Sequence, residues 1–122
     1  MKNKFEIPGN LPSLNEYTKV NRSNKFGGNK LKQQTEDMLM WCICKADLKP
    51  CERPIKLKVI WYEKDLKRDA DNVIFAKKFI LDSLVKCGVL ENDSRKFVIG
   101  FEDIVLVDRT DPRIEVEIIE ME

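Results

Sequence analysis

Histidine is absent from this chain, and its absence removes several kinds of active site at once. Without an imidazole there is no Ser-His or Cys-His pair to activate a nucleophile, and no zinc site of mixed Cys and His ligands. Of the four cysteines, Cys42 and Cys44 have one residue between them, whereas zinc-ligating pairs usually have about two to four. We therefore expect reduced and mostly buried thiols in a reducing compartment.

Long apolar runs are also missing. No stretch approaches the ~20 residues that span a bilayer, and the first eight residues lack the apolar centre of a signal peptide. We therefore expect a cytoplasmic protein with no membrane partner. No Gly-x-x-x-x-Gly-Lys-Ser/Thr loop occurs, which argues against hydrolysis of nucleoside triphosphates. The 122 residues, 43% hydrophobic and 35% charged, predict one globular domain that covers residues 1–122.

Charge is unevenly distributed, although the net charge is only +1. Residues 2–32 hold seven Lys or Arg and two Asp or Glu, whereas residues 102–122 hold two Arg and eight Asp or Glu. Because basic side chains bind phosphate backbones, the N-terminal third is the candidate surface for a polyanion. Taken alone, this feature is equally consistent with an ordinary solvated face.

Hydrophobic periodicity predicts one sheet with helices packed against it. Period-two alternation and β-branched residues predict strands over 3–8, 55–62, 97–107 and 113–120. Helical spacing predicts helices over about 29–47 and 72–86, with Gly88 as a C-terminal cap and a polar loop over 21–28. The turn at 108–112 predicts a hairpin of the last two strands, so the sheet is at least partly antiparallel. The predicted fold class is α+β, with a mixed or antiparallel sheet.

The segment Arg68-Asp69-Ala70-Asp71-Asn72 is the candidate site. Carboxylate oxygens suit Mg²⁺ or Mn²⁺, and two carboxylates this close repel each other unless a cation intervenes. The alternative is that one aspartate simply caps the following helix. At about 100° per residue along a continuous helix, Lys78 lies on the same side as Asp71, and Lys77 does not. We therefore prefer Lys78, with Lys77 as the fallback, and expect Asp93 as a third carboxylate.

These residue types predict hydrolysis of a phosphodiester. One or two Mg²⁺ ions, with Mn²⁺ as a substitute, would be held by Asp69, Asp71 and Asp93, would orient the phosphate and would lower the pKa of a bound water. Lys78 would stabilise the charge that develops on the phosphate. The alternative for Lys78 is a solvated surface lysine.

The order of several segments resembles the RusA family of Holliday junction resolvases. The segments are Leu11–Tyr17, Arg22–Lys32, Arg68–Asn72, Phe79–Leu84 with Gly88, Asn92-Asp93, and the predicted closing hairpin with Pro112 before an acidic alternating strand. The resemblance implies a Mg²⁺-dependent, homodimeric endodeoxyribonuclease that cuts four-way DNA junctions by paired nicks, in recombination and repair in phage or prophage contexts. It assigns the three catalytic aspartates to Asp69, Asp71 and Asp93. For the catalytic lysine, counting from the aspartate end of the motif gives Lys78 and counting from the asparagine end gives Phe75; helix phase favours Lys78, with Lys77 as the fallback.

Under this resemblance, polar and basic residues would contact junction phosphates. The candidates are Asn15, Arg22, Lys25, Lys30, Lys32 and Arg68. Trp41, Ile60 and Tyr62 are candidates for a dimer interface and equally for ordinary core. Two other functions stay open: a non-catalytic DNA-binding module, in which the aspartates only cap a helix, and a metal-dependent phosphoesterase for small substrates.

Overall fold

The described residues form one sheet of four strands with four helices. The computed structural model describes residues 3–23 and 25–122, and the side chain of Lys25 lies outside this description. In chain order the elements are β1 (Asn3–Pro8), α1 (Leu14–Ser23), α2 (Lys25–Ala46), β2 (Ile55–Glu63), α3 (Ala70–Ile74), α4 (Lys77–Lys86), β3 (Val98–Val107) and β4 (Arg113–Glu120). This arrangement confirms the α+β class. No helix of the described residues is long and apolar enough to cross a membrane.

The sheet is mixed, in the order β1-β4-β2-β3. β4 is antiparallel to both β1 and β2, whereas β3 is parallel to β2. One face is apolar because alternate residues of the strands, such as Leu57 and Val116, are buried. Side chains of α2 and α4, such as Leu39 and Leu84, join these residues in a single core. Within the described part of the chain, no helix of this core packs on the other face of the sheet, and the side chains of that face are partly exposed.

The predicted hairpin of the last two strands is wrong. β3 and β4 lie on opposite sides of β2, so residues 108–112 cross the end of β2, where the Asp108 amide donates to the Glu63 carbonyl oxygen at 2.8 Å. The turn residues correctly indicate that the chain reverses. They carry no information about which strand the returning chain pairs with.

The predicted loop over residues 21–28 is also wrong. α1 continues to Ser23 and α2 begins at Lys25, four residues before the predicted start. Gly28 shows why glycine occurs here, because a Cβ at this position would collide with the side chain of Asn21. This glycine therefore permits a close approach of α1 and α2, a packing role that is easily mistaken for a turn signal.

The predicted helix over 72–86 is two helices. α3 begins at Ala70, and the regular pattern is interrupted at Phe75 and Ala76, where the amides of Ala76 and Lys78 donate three residues back instead of four. The phase argument that aligned Asp71 with Lys78 on one helix therefore does not hold. Gly88 follows α4 with a φ of 77°, which confirms the predicted left-handed C-terminal cap.

Candidate active site

The candidate lysine and the third candidate aspartate lie together. Lys78 is the second residue of α4, and Asp93 belongs to the connection between α4 and β3. The Lys78 Nζ atom is 2.9 Å from Asp93 Oδ2 and 3.1 Å from Asp82 Oδ1, one helical turn further along α4. The fold therefore returns the polar turn after α4 to the start of that helix, which the sequence analysis left open.

This contact keeps both partners charged. The hydrogen bonds that the Lys78 ammonium donates, first to Asp93 and then to Asp82, raise its pKa. The same contact with Lys78 lowers the pKa of the Asp93 carboxyl. The Lys78 side chain is 61% exposed, so a phosphate can approach it from solvent. For the same reason the ion pair is screened by water and stabilises the fold little.

Lys77, the fallback lysine, is engaged elsewhere. Its Nζ atom is 2.6 Å from Asp103 Oδ2 on β3 and 4.0 Å from the ring centroid of Phe101. The other oxygen of Asp103 accepts a hydrogen bond from Trp61 Nε1 at 3.0 Å. Lys77 thus fastens the start of α4 to the sheet. Sequence reasoning missed Asp103, although an acidic residue within an apolar strand was a signal that it has a buried partner.

Asp69 and Asp71 stand at the start of α3. Asp69 occupies the N-cap position in an extended conformation, but its side chain makes no capping hydrogen bond. Asp71 is exposed, and its Oδ1 atom accepts a hydrogen bond from the amide of the next residue, Asn72, at 3.0 Å. Helix capping by Asp69, the alternative interpretation of this motif, is therefore not what its side chain does here.

The three candidate aspartates do not form one compact cluster. Within residues 3–23 and 25–122, no group of three or more acidic or cysteine side chains is arranged to hold a metal ion. Asp93 is instead paired with Lys78. Mg²⁺ is commonly bound through one or two carboxylates, with waters and substrate phosphates completing its coordination. The donor chemistry of Asp69 and Asp71 fits that kind of site.

Arg68, a predicted DNA contact, is bound to its own chain. Its guanidinium donates to the Leu11 carbonyl oxygen at 3.1 Å and lies 3.2 Å from a Glu16 carboxylate oxygen and 3.0 Å from one of Glu63. Glu63 is almost fully buried, and burial raises the pKa of its carboxyl. These contacts indicate that Arg68 ties α1 to the end of β2 next to Asp69. Sequence reasoning missed Glu63 because it lies in a charged segment.

The other candidate DNA contacts lie on the first two helices. The side chains of Asn15, Arg22, Lys30 and Lys32 are exposed, whereas that of Lys25 lies outside the described part. α1 packs beside the candidate site, because the ring centroid of Tyr17 is 5.9 Å from that of Phe75 and 5.8 Å from that of Phe79. Exposed basic residues therefore lie on α1 and α2, the two helices that contact those carrying Asp71 and Lys78.

Comparison with known proteins does not place the chain in a family. No protein-family model matches it, and no curated protein matches it significantly. The RusA resemblance therefore stays a prediction from the order of the motifs.

Proposed function

We propose that the protein is a divalent-metal-dependent endodeoxyribonuclease that cuts four-way DNA junctions by paired nicks. The observation that carries the proposal is the ion pair of Lys78 and Asp93. It joins two residues that were selected from the sequence as members of one site and that are 15 positions apart. Two further observations support it: the carboxylate of Asp69 makes no capping hydrogen bond, and Asp71 is exposed.

The role of Lys78 follows from its surroundings. Asp82 and Asp93 hold the ammonium group charged and oriented before any substrate arrives. A phosphate that enters from the exposed side replaces these carboxylates as the hydrogen-bond acceptor of the ammonium group. The lysine therefore contacts the phosphate oxygens on which negative charge grows during cleavage. Because the ion pair is solvent-exposed, this exchange costs little free energy.

Asp69 and Asp71 would hold the cation in this proposal. When bound, Mg²⁺ would polarise the phosphate and lower the pKa of a water ligand. Two neighbouring carboxylates are enough for such an ion if phosphate oxygens complete its coordination.

The exposed basic residues of α1 and α2 would bind the arms of the junction. Arg22, Lys30 and Lys32 would contact phosphates, which gives affinity and a strong dependence on salt without sequence preference. A homodimer suits this substrate, since two sites related by a two-fold axis address two symmetric strands.

Cleavage of a synthetic four-way junction tests the proposal. We expect paired nicks in the junction with Mg²⁺, none with EDTA, and no cutting of a linear duplex of the same sequence. Asp71→Asn is expected to lose cleavage and keep junction binding, whereas Asp65→Asn, the same charge change in the preceding segment, is expected to cleave normally. Unchanged cleavage by Asp71→Asn would contradict the assigned site.

A non-catalytic DNA-binding module is the second candidate. The observation that favours it is that the described residues hold no ready three-ligand cluster. It predicts salt-sensitive junction binding, no cutting with Mg²⁺ or Mn²⁺, and no effect of Asp93→Asn on affinity.

A further inference from the structure

The two edges of the sheet differ in how they are protected. β1 has six residues, and those that are exposed are Lys4, Glu6 and Pro8, of which Pro8 has no amide hydrogen to donate. Charged residues and proline are the usual devices that keep an edge strand from pairing with another chain. β1 is therefore an edge strand that is protected against pairing with another chain.

β3 is less protected. It has ten residues, lies outside β2 and contains neither lysine nor proline, although it carries Glu102 and Asp103 and its register with β2 shifts once near its start. Its exposed apolar side chains are Ile99, Phe101, Ile104, Leu106 and Val107, at 54%, 48%, 38%, 44% and 40% exposure. A long, apolar and unpaired edge of this kind is a template for another strand.

The exposed residues lie on both faces of the strand. Phe101 and Val107 pair in register with Leu57 and Glu63, which are buried and face the helices. Ile104 and Leu106 pair with Ile60 and Tyr62 on the opposite, helix-free face. A strand added alongside β3 would cover both sets at once, whereas a surface stacked on the sheet would cover only the second.

The charges of β3 are neutralised within the chain. Glu102 lies 3.0 Å from Lys56 and 3.7 Å from Lys58, and Asp103 lies 2.6 Å from Lys77. Two identical β3 strands can therefore approach each other without the repulsion that bare carboxylates would cause.

The available apolar area is also adequate. The five exposed side chains present on the order of 400 Å² per copy, so two copies approach the ~1,000 Å² that a specific interface needs once backbone is included.

We propose that β3 pairs antiparallel with β3 of a second copy of this chain about a two-fold axis, joining two four-stranded sheets into one. Backbone hydrogen bonds along the edge supply affinity, and the apolar side chains on both faces supply the buried surface. The dimer itself is part of the proposed function, but self-association is measured without DNA and cleavage is measured with it, so the failure of one can be distinguished from the failure of the other.

The test uses two adjacent residues of similar exposure that lie on opposite faces. We expect the wild-type chain to sediment as a dimer, and both Leu106→Lys and Val107→Lys to weaken the dimer by about tenfold or more, which corresponds to about 1.4 kcal/mol. Leu66→Lys, a substitution of an exposed leucine outside the sheet, is the control and is expected to leave the dimer intact. Circular dichroism of each variant establishes that it is folded.

Three results would overturn the inference. One is a wild-type chain that is monomeric at tens of micromolar. Another is a dimer that neither variant weakens, since its interface would lie elsewhere. The last is a dimer weakened by Leu106→Lys alone, because that result indicates stacking of the helix-free faces. Folded variants that stay monomeric and lose the slow amide exchange of β3 that the wild-type chain shows would support strand pairing directly.

Discussion

Lys77 and Lys78 are neighbours with the same side chain, yet they do different things. Lys77 is 16% exposed and lies against Asp103 and the ring of Phe101 on β3. Lys78 is 61% exposed and lies between Asp82 and Asp93. One step along a helix turns a side chain by about 100°, so the first faces the sheet and the second faces solvent. The contact of Lys77 with the sheet thus fixes the orientation of α4, and with it the side on which the Lys78 side chain lies.

The two ion pairs differ in energy because they differ in contact with water. Removing one partner of the Lys77 pair leaves a poorly hydrated charge, which is costly. Removing one partner of the Lys78 pair leaves a charge that water solvates, which costs little. Substitution of Lys77 should therefore mainly lower the free energy of unfolding, and substitution of Lys78 should mainly lower the rate of cleavage.

The largest expected effect is the loss of cleavage in Lys78→Met. The variant lacks the cation that meets the developing charge in the proposed function, so we expect the single-turnover rate on a four-way junction to fall by about 10² to 10³-fold. Lys77→Met, assayed at a temperature where it is fully folded, is expected to keep most of its activity. An equal loss in both variants would show that the site does not distinguish the two lysines.

A smaller effect is expected on stability, with the order of the lysines reversed. Lys77→Met should lower the free energy of unfolding by about 2 kcal/mol, since Asp103 stays partly buried without its partner. Lys78→Met should change it by less than about 0.5 kcal/mol. Urea denaturation measures both.

A double-mutant cycle isolates the Lys77 contact from other effects of the substitution. Asp103→Asn removes the charge and keeps a side chain that can still accept from Trp61. The double variant Lys77→Met, Asp103→Asn should lose less stability than the two single losses together. Full additivity would mean that the contact contributes nothing.

The smallest effect is a dependence of stability on acid pH. The pKa of Asp93 is lowered in the folded chain, so its contribution is present above the unfolded pKa of about 3.9 and is lost as pH falls through the folded value. The free energy of unfolding of the wild-type chain should exceed that of Asp93→Asn by a few tenths of a kcal/mol at pH 6, and this difference should vanish near pH 2. Urea titrations at both pH values measure it, and an unchanged gap at pH 2 would contradict the assignment to this carboxyl.

The strands were more predictable than their order. The ranges 3–8 and 113–120 match β1 and β4, because a half-buried strand marks itself by alternation. The position of β4 between β1 and β2 depends on contacts between residues far apart in the chain, and no local pattern encodes it. The break at Phe75 was hidden for a related reason, since the residues around it are apolar and suit a continuous helix.

The site was predictable in part. The sequence brought Lys78 and Asp93 together as candidates, and the fold places them in contact. Arg68 was selected for its charge, but its partners Glu16 and Glu63 lie 52 and 5 positions away, and only the folded chain brings both to it. Selection by residue type finds side chains that are able to do chemistry. It cannot tell which of them are already paired with other side chains of the folded chain.

The pairing of β1 with β4 has a consequence for how the chain folds. Asn3, in the first strand, lies opposite Ile118, in the last, and β4 also pairs with β2. During synthesis, β1 and β2 lack the strand that lies between them until β4 has been made. The sheet therefore cannot form strand by strand in the order of synthesis. Non-local pairing of this kind forms more slowly than local helices, because the entropy of closing a long loop is lost before the contacts are gained. β4 is made after both of its neighbours in the sheet, and both of their pairings with it depend on its synthesis.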